Sequence, residues 1–172
     1  MSKAFTRESD DEPEMRPLGK PAAVLPAGAP NYLTPDGAER LRKELERLTV
    51  EERPPLQLSE KGEASSELRR IDQRIREISE TLQSAEVVSP PRRPWDQVTF
   101  GAIVTARKAR EGEVTYRIVG VDEVDLDRGW VSWLTPVARA LMNARLGERV
   151  PLELPGGHTE LEILNIAYPE GE

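Results

Sequence analysis

The chain has 172 residues, a formal net charge of -7, 32% charged residues, no cysteine and one histidine. That length allows one or two small domains. The acidic balance argues against a nucleic-acid groove as the main partner surface, and the missing cysteines remove disulfide frameworks, zinc fingers and thiol catalysis. A single histidine also leaves no room for a multi-histidine metal site and makes a Ser-His triad improbable. No apolar run approaches the roughly 20 residues of a membrane span, and the N-terminus lacks a hydrophobic signal core. A cytoplasmic protein is expected.

Residues 1–30 read as a disordered leader, acidic and rich in proline. SKAFTRESDDEPEMRP and PAAVLPAGAP offer too little apolar surface to offset the entropy of ordering them. Glu8, Asp10, Asp11, Glu12 and Glu14 read as a solvated tail that could touch a basic surface.

Residues 31–88 carry two helical patterns. In the first, Thr34 suits an N-cap, Pro35 the first helical position, and Asp36 the positive end of the helix dipole. Apolar positions follow at Ala38, Leu41, Leu45 and Leu48, and Pro54-Pro55 is expected to end or kink the helix. In the second, Leu68, Ile71, Ile75, Ile78, Leu82 and Ala85 alternate by three and four, with Ser65 or Ser66 as the cap. Two such seams joined by the polar stretch LSEKGEASSELRR predict an antiparallel helical hairpin. The stripe itself is core rather than chemistry, though self-association through it would use the same pattern.

SPPRRPWDQ, residues 89–97, is a proline-rich linker. Beyond it the period becomes two, and VTFGAIVTARKA, EVTYRIVGVDE, GWVSWL, VPLELP and TELEILNIAY read as strands. EGE (111–113) and PGGH (155–158) supply turn residues, which gives His158 a structural role. TPVARALMNARLG reads as a helix capped by Thr135, opened by Pro136 and stopped by Gly147. Trp130 and Trp133 are expected on one face of the third strand, as core or as anchors for a partner. Residues 98–169 thus form a small α+β domain.

In order along the chain, NYLTPDGAERLRKELERL, EERP, LRRIDQRIREISETLQSAEVV, FGAIV, YRIVGVDE, VSWLTPVARALMNARLGE and LPGG resemble the Gre transcript-cleavage factors. The GreB branch is the closer, and the likeness covers residues 31–169. It implies an antiparallel coiled coil followed by an FKBP-like α+β domain, in a monomeric accessory factor without catalysis of its own. The globular domain would dock on bacterial RNA polymerase at the mouth of the secondary channel. The coiled coil would enter the channel near the nascent RNA, and carboxylates at its tip would help hold magnesium in the polymerase active site. No cofactor of its own is implied, only a shared magnesium ion.

On that resemblance the tip candidates are Glu60, Glu63 and Glu67, within a segment that departs from the family pattern. Gly62-Glu63-Ala64-Ser65-Ser66-Glu67 is not followed by the family's asparagine and tyrosine. Between EERP and LRRID the chain is shorter by about 14 residues, or one heptad per arm, which withdraws the tip by roughly 10 Å. Magnesium binds oxygen at about 2 Å, so such a deficit favours a blunted finger. The docking candidates are Thr135, Pro136 and Arg139, which match the family segment together with Ala138, Ala140 and Leu141. Leu134 departs from the polar residue often found before it.

Two mechanisms stay open within the family: stimulation of cleavage, or occupation of the channel against other Gre-type factors. A prolyl isomerase and a scaffold acting without polymerase are the alternatives from other classes. So few aromatics disfavour the isomerase.

Overall fold

The computed structural model describes residues 25–58, 62–109, 111–154 and 156–169. The acidic leader and Glu60 lie outside the described residues. The α+β class expected from the two periodicities is the class found.

Strand β1 (Asn31–Leu33) leads into helix α1 (Pro35–Arg47), followed by a π-helical turn at Leu48–Glu52 and the short helix α2 (Arg53–Gln57). Thr34 caps α1 by accepting from the Gly37 amide, and Pro35 opens the helix where its missing N–H costs nothing. The prolines do not end this arm. The π turn before them, closed by Arg53 N–H donating to the Leu48 carbonyl, absorbs one extra residue, and the helix resumes with Pro54 and Pro55 in its first turn.

Helix α3 (Gly62–Ser84) returns along the first arm. It begins at Gly62, so Ser65 and Ser66 lie inside it rather than at its cap, a correction to the local sequence reading. Glu44 pairs with Arg74 and Arg53 with Asp72, so partner numbers fall along α3 as they rise along the first arm, and the arms run in opposite directions. Leu33, Ala38, Leu41, Leu48, Ile71 and Ile78 form a buried cluster, with Leu45, Leu56, Ile75, Leu82 and Ala85 packed at its edge. Leu68 is only half-buried and stays outside that cluster. Strand β2 (Ala85–Val87) then pairs in parallel with β1, closing the base of the finger.

A single five-stranded sheet forms the body. Its strands are β3 (Ile103–Lys108), β4 (Gly112–Val119), β5 (Trp130–Ser132), β6 (Arg149–Leu154) and β7 (Gly157–Ala167), in the order β5-β4-β3-β7-β6. Only β4 and β5 are parallel. Val98, Val104, Ile118, Leu141, Leu161 and Ile163 lie at the centre of its core.

Helix α4 (Pro136–Leu141) crosses that core and stops well before Gly147. Asn143 takes a positive φ of 67°. Its amide donates to the Val98 carbonyl, and Val98 N–H donates to Ala144, so pairing with a remote segment ends the helix. The tryptophans do not share a face. Trp130 lies in β5 beside Arg117, whereas Trp133 follows the strand and packs on Tyr32 in the core. A separation of three residues reverses the side on which a side chain emerges. No helix among the described residues is long and apolar enough to cross a membrane.

Candidate functional site

Chemistry-bearing side chains collect where the finger meets the body. Val121–Glu123 forms a 3-10 turn after β4, and this turn delivers Glu123 into the junction with its side chain 2% exposed. The carboxylate accepts from the Thr34 amide at 2.9 Å, the Gly120 amide at 3.1 Å and Arg40 Nη2 at 3.3 Å. The two amides share Oε2, and the Thr34 hydroxyl donates to Oε1, the oxygen that Arg40 also reaches. A buried carboxylate needs such partners, because an unpaired one would carry the full cost of desolvation.

A second link lies beside it. Arg117, on the β4 face opposite the main core, donates to Asp36 Oδ2 at 2.9 Å and Oδ1 at 2.5 Å. Arg40 also reaches Asp36, at 2.7 Å. The Trp130 ring lies against three guanidinium groups, those of Arg117 at 4.7 Å, Arg40 at 4.9 Å and Arg128 at 5.3 Å from its centroid. Tyr32 completes the joint on the apolar side, with its ring 5.5 Å from Phe100 and 5.2 Å from Trp133.

An open cleft of about 830 Å³ adjoins the joint, bounded by Glu44, Arg74 and Glu77 of the finger and by Asp122 and Leu126 of the body. Two carboxyls here respond oppositely to the fold. Burial works to raise Asp36, but hydrogen bonds from Arg117 and Arg40 and the Arg117 charge outweigh it and hold the group far below the usual carboxylate range. Burial raises Asp122, only partly offset by Thr81 and Arg74. Asp36 therefore stabilises the fold above its unfolded value of about 3.9 and loses that effect only as pH falls through its depressed folded value. Asp122 works the other way: stability declines as pH rises from its unfolded value through its raised folded one. Asp122→Asn, which keeps an acceptor for the Thr81 hydroxyl, is expected to match or exceed the parent in stability at pH 7 and to lose the parent's relative gain near pH 4. Urea midpoints at the two pH values measure this.

The docking candidates lie on the body. Thr135 caps α4 by accepting from the Ala138 amide and donates its hydroxyl to the Ser132 carbonyl at 2.7 Å. Pro136 and Arg139 are exposed, and Arg139 forms no ion pair with any described residue. Leu134 is half-buried, its amide held by the Ser132 hydroxyl. Ala138 and Leu141 face the core. The segment therefore presents Pro136 and Arg139 from a rigid helix start.

Of the tip candidates, Glu60 lies outside the described residues and the other two lie on α3. Glu63 lies in the first turn of α3, and Glu67 one turn later pairs with Arg70 at 3.4 Å. No group of three acidic or histidine side chains able to hold a metal occurs among the described residues. Hydrogen bonds thus order both the joint and the start of α4.

Reasoning from the sequence missed Glu123, Arg117 and the role of Trp130. One signal was present: Gly37 in the first turn of a helix costs helix stability and asks for a reason. The reason is spatial, since a Cβ there would come within 1.9 Å of Glu123 Oε1.

Comparison with known proteins places the chain in a family. Residues 93–168 match the family described as "Transcription elongation factor, GreA/GreB, C-term". The chain is 39% identical over 153 residues to transcription elongation factor GreB of Neisseria meningitidis (serogroup A / serotype 4A), covering 80% of this chain and 94% of that one. It is 38% identical over 155 residues to GreA of Anaeromyxobacter sp., covering 81% and 93%. Among solved structures, a GreA/GreB factor from Nitrosomonas europaea is 27% identical, at a TM-score of 0.40 over 80% of this chain and 98% of that one. Eighty per cent of 172 residues is about 138, so about 15 of the 153 positions aligned with the Neisseria protein have no counterpart here. With that identity carried across nearly the whole length of its relatives, the chain belongs to the GreA/GreB family of transcription elongation factors.

Proposed function

We propose that the protein binds bacterial RNA polymerase through its body, at the secondary channel, and inserts a shortened finger that occupies the channel without delivering carboxylates to the polymerase metal. On this reading the finger is the family's antiparallel coiled coil and the body its FKBP-like domain. The carrying observation is length. Both arms span 23 residues, Pro35–Gln57 and Gly62–Ser84, or about 34 Å at 1.5 Å per residue. The roughly 15 unmatched positions agree in size with a missing heptad in each arm.

That shortfall corresponds to roughly 10 Å of reach, against the about 2 Å at which an oxygen must approach magnesium. The engagement of Glu67 by Arg70 supports the same view. What remains is a rigid wedge on a docking body, a form suited to excluding longer-fingered relatives from the same channel. Arg139 and Pro136, exposed on α4, are the residues assigned to docking.

The test uses stalled elongation complexes carrying backtracked RNA. Alone, the protein should leave the RNA length unchanged; added with a cleavage-active Gre factor, it should suppress shortening in a dose-dependent way. Arg139→Glu should weaken that suppression about tenfold or more, as expected for a reversed charge at a contact. RNA shortening by the protein itself, lost in Glu63→Gln, would show instead that the finger reaches.

A further inference from the structure

We propose that Glu123 is the pin of a locked joint that sets the direction of the finger on the body, making Glu123, Thr34, Asp36 and Arg117 positioning residues for whatever the finger does. Its importance for transcription rests on the polymerase reading above, but the joint itself does not.

The covalent connection alone leaves the direction open. After β2 the chain reaches the body through residues 88–97, a stretch without helix or strand apart from the single bridge of Gln97 to Arg145. Orientation must come from non-covalent contacts, and these are concentrated at one place. Glu123 draws donors from the entry to the finger (Thr34), from the finger helix (Arg40) and from its own loop (Gly120), all onto one buried carboxylate. The Asp36–Arg117 fork fixes rotation about that point, because two parallel bonds between planar groups permit little twist.

Two glycines bring the parts into contact. A Cβ on Gly37 would meet Glu123, and one on Gly120 would come within 2.0 Å of the Tyr32 carbonyl. Contacts this close leave no room for an alternative angle while the pin is in place.

The lever arm makes small angles matter. On a finger of about 34 Å, a swing of about 15° moves the tip by roughly 9 Å, as far as the missing heptads would. Orientation therefore sets the sideways position of the tip as strongly as length sets its depth.

The absence of cysteine allows a direct measurement. Gln73→Cys on α3 and Asn165→Cys on β7, both exposed positions, accept one spin label each in the full chain. The parent should give one narrow distance distribution. Glu123→Ala and Thr34→Ala should broaden it at least twofold, Glu123→Gln should be intermediate, and Thr34→Ser, which restores the hydroxyl, should return the narrow form. If Glu123→Ala fails to fold, the folded Glu123→Gln and Thr34→Ala variants decide, and unchanged widths in both overturn the joint.

With polymerase, Glu123→Gln should alter affinity less than about threefold while weakening suppression of cleavage about tenfold. Loss of affinity and effect together would overturn the positioning role. Should broadening occur while neither parent nor variant binds polymerase, the joint stands and the polymerase reading falls.

Discussion

Gly120→Ala is expected to be among the most damaging single substitutions in this chain. The φ of Gly120 is -66°, open to any residue, so backbone strain is not the cause. The cause is the Tyr32 carbonyl, 2.0 Å from where the new Cβ would stand. Neither atom can yield cheaply, since Tyr32 lies in β1, paired with β2, and its ring is held between Phe100 and Trp133. Separating them also pulls Glu123 away from Thr34. Overpacking of this kind, joined to a broken buried hydrogen-bond network, costs about 3 kcal/mol or more. For a chain of this size that lowers Tm by roughly 6–12 °C. Gly62→Ala is the control: nothing lies within 4 Å of its Cβ, and alanine favours the helix it begins. It should be neutral or stabilising by up to about 1 kcal/mol. A Gly120→Ala protein melting within 2 °C of the parent would contradict the packing described for the joint.

Ile71→Ala should have an effect of similar size, placed in the finger. Ile71 is 1% exposed and belongs to a small cluster that, among the described residues, has six buried members, so a hole there has few neighbours to fill it. Large-to-small changes at such sites cost about 2–5 kcal/mol. Because the finger contributes its own small core, the loss should appear mainly as local opening. Hydrogen exchange at α3 amides should accelerate about 30-fold to several thousand-fold, with the sheet much less affected. Leu68→Ala, on the same seam but outside the cluster, should cost under half as much. Equal effects at the two positions would mean that the seam continues to the tip as a uniform heptad core.

That contrast shows how the sequence is informative and where it stops. The capping of α1 by Thr34 and of α4 by Thr135 was legible because hydroxyl, proline and first-turn amide lie within four residues of each other. The apolar periods of three and four placed the finger helices, and alternation placed the body strands. Strands β1 and β2 were not legible: three residues carry no period, and each becomes a strand only through the other. The stop of α4 at Leu141 likewise depends on Val98, more than forty residues away in sequence. The sequence leaves Pro54-Pro55 as an end or a kink, and only the structure shows a π turn before them through which the arm continues. At the start of α4, Thr135 and Pro136 were visible as a local capping motif, whereas Glu123 looked like one more surface acid in an acidic chain.

By itself, then, the amino-acid sequence determined the class of each long element and the family, because these depend on neighbours within a few turns and on motifs read in order along the chain. The tertiary structure alone decided which charges are buried and which way the finger leaves the body. Burial and orientation arise from groups far apart in the chain, and no local pattern records that Glu123 will meet Thr34 or that Arg117 will grip Asp36.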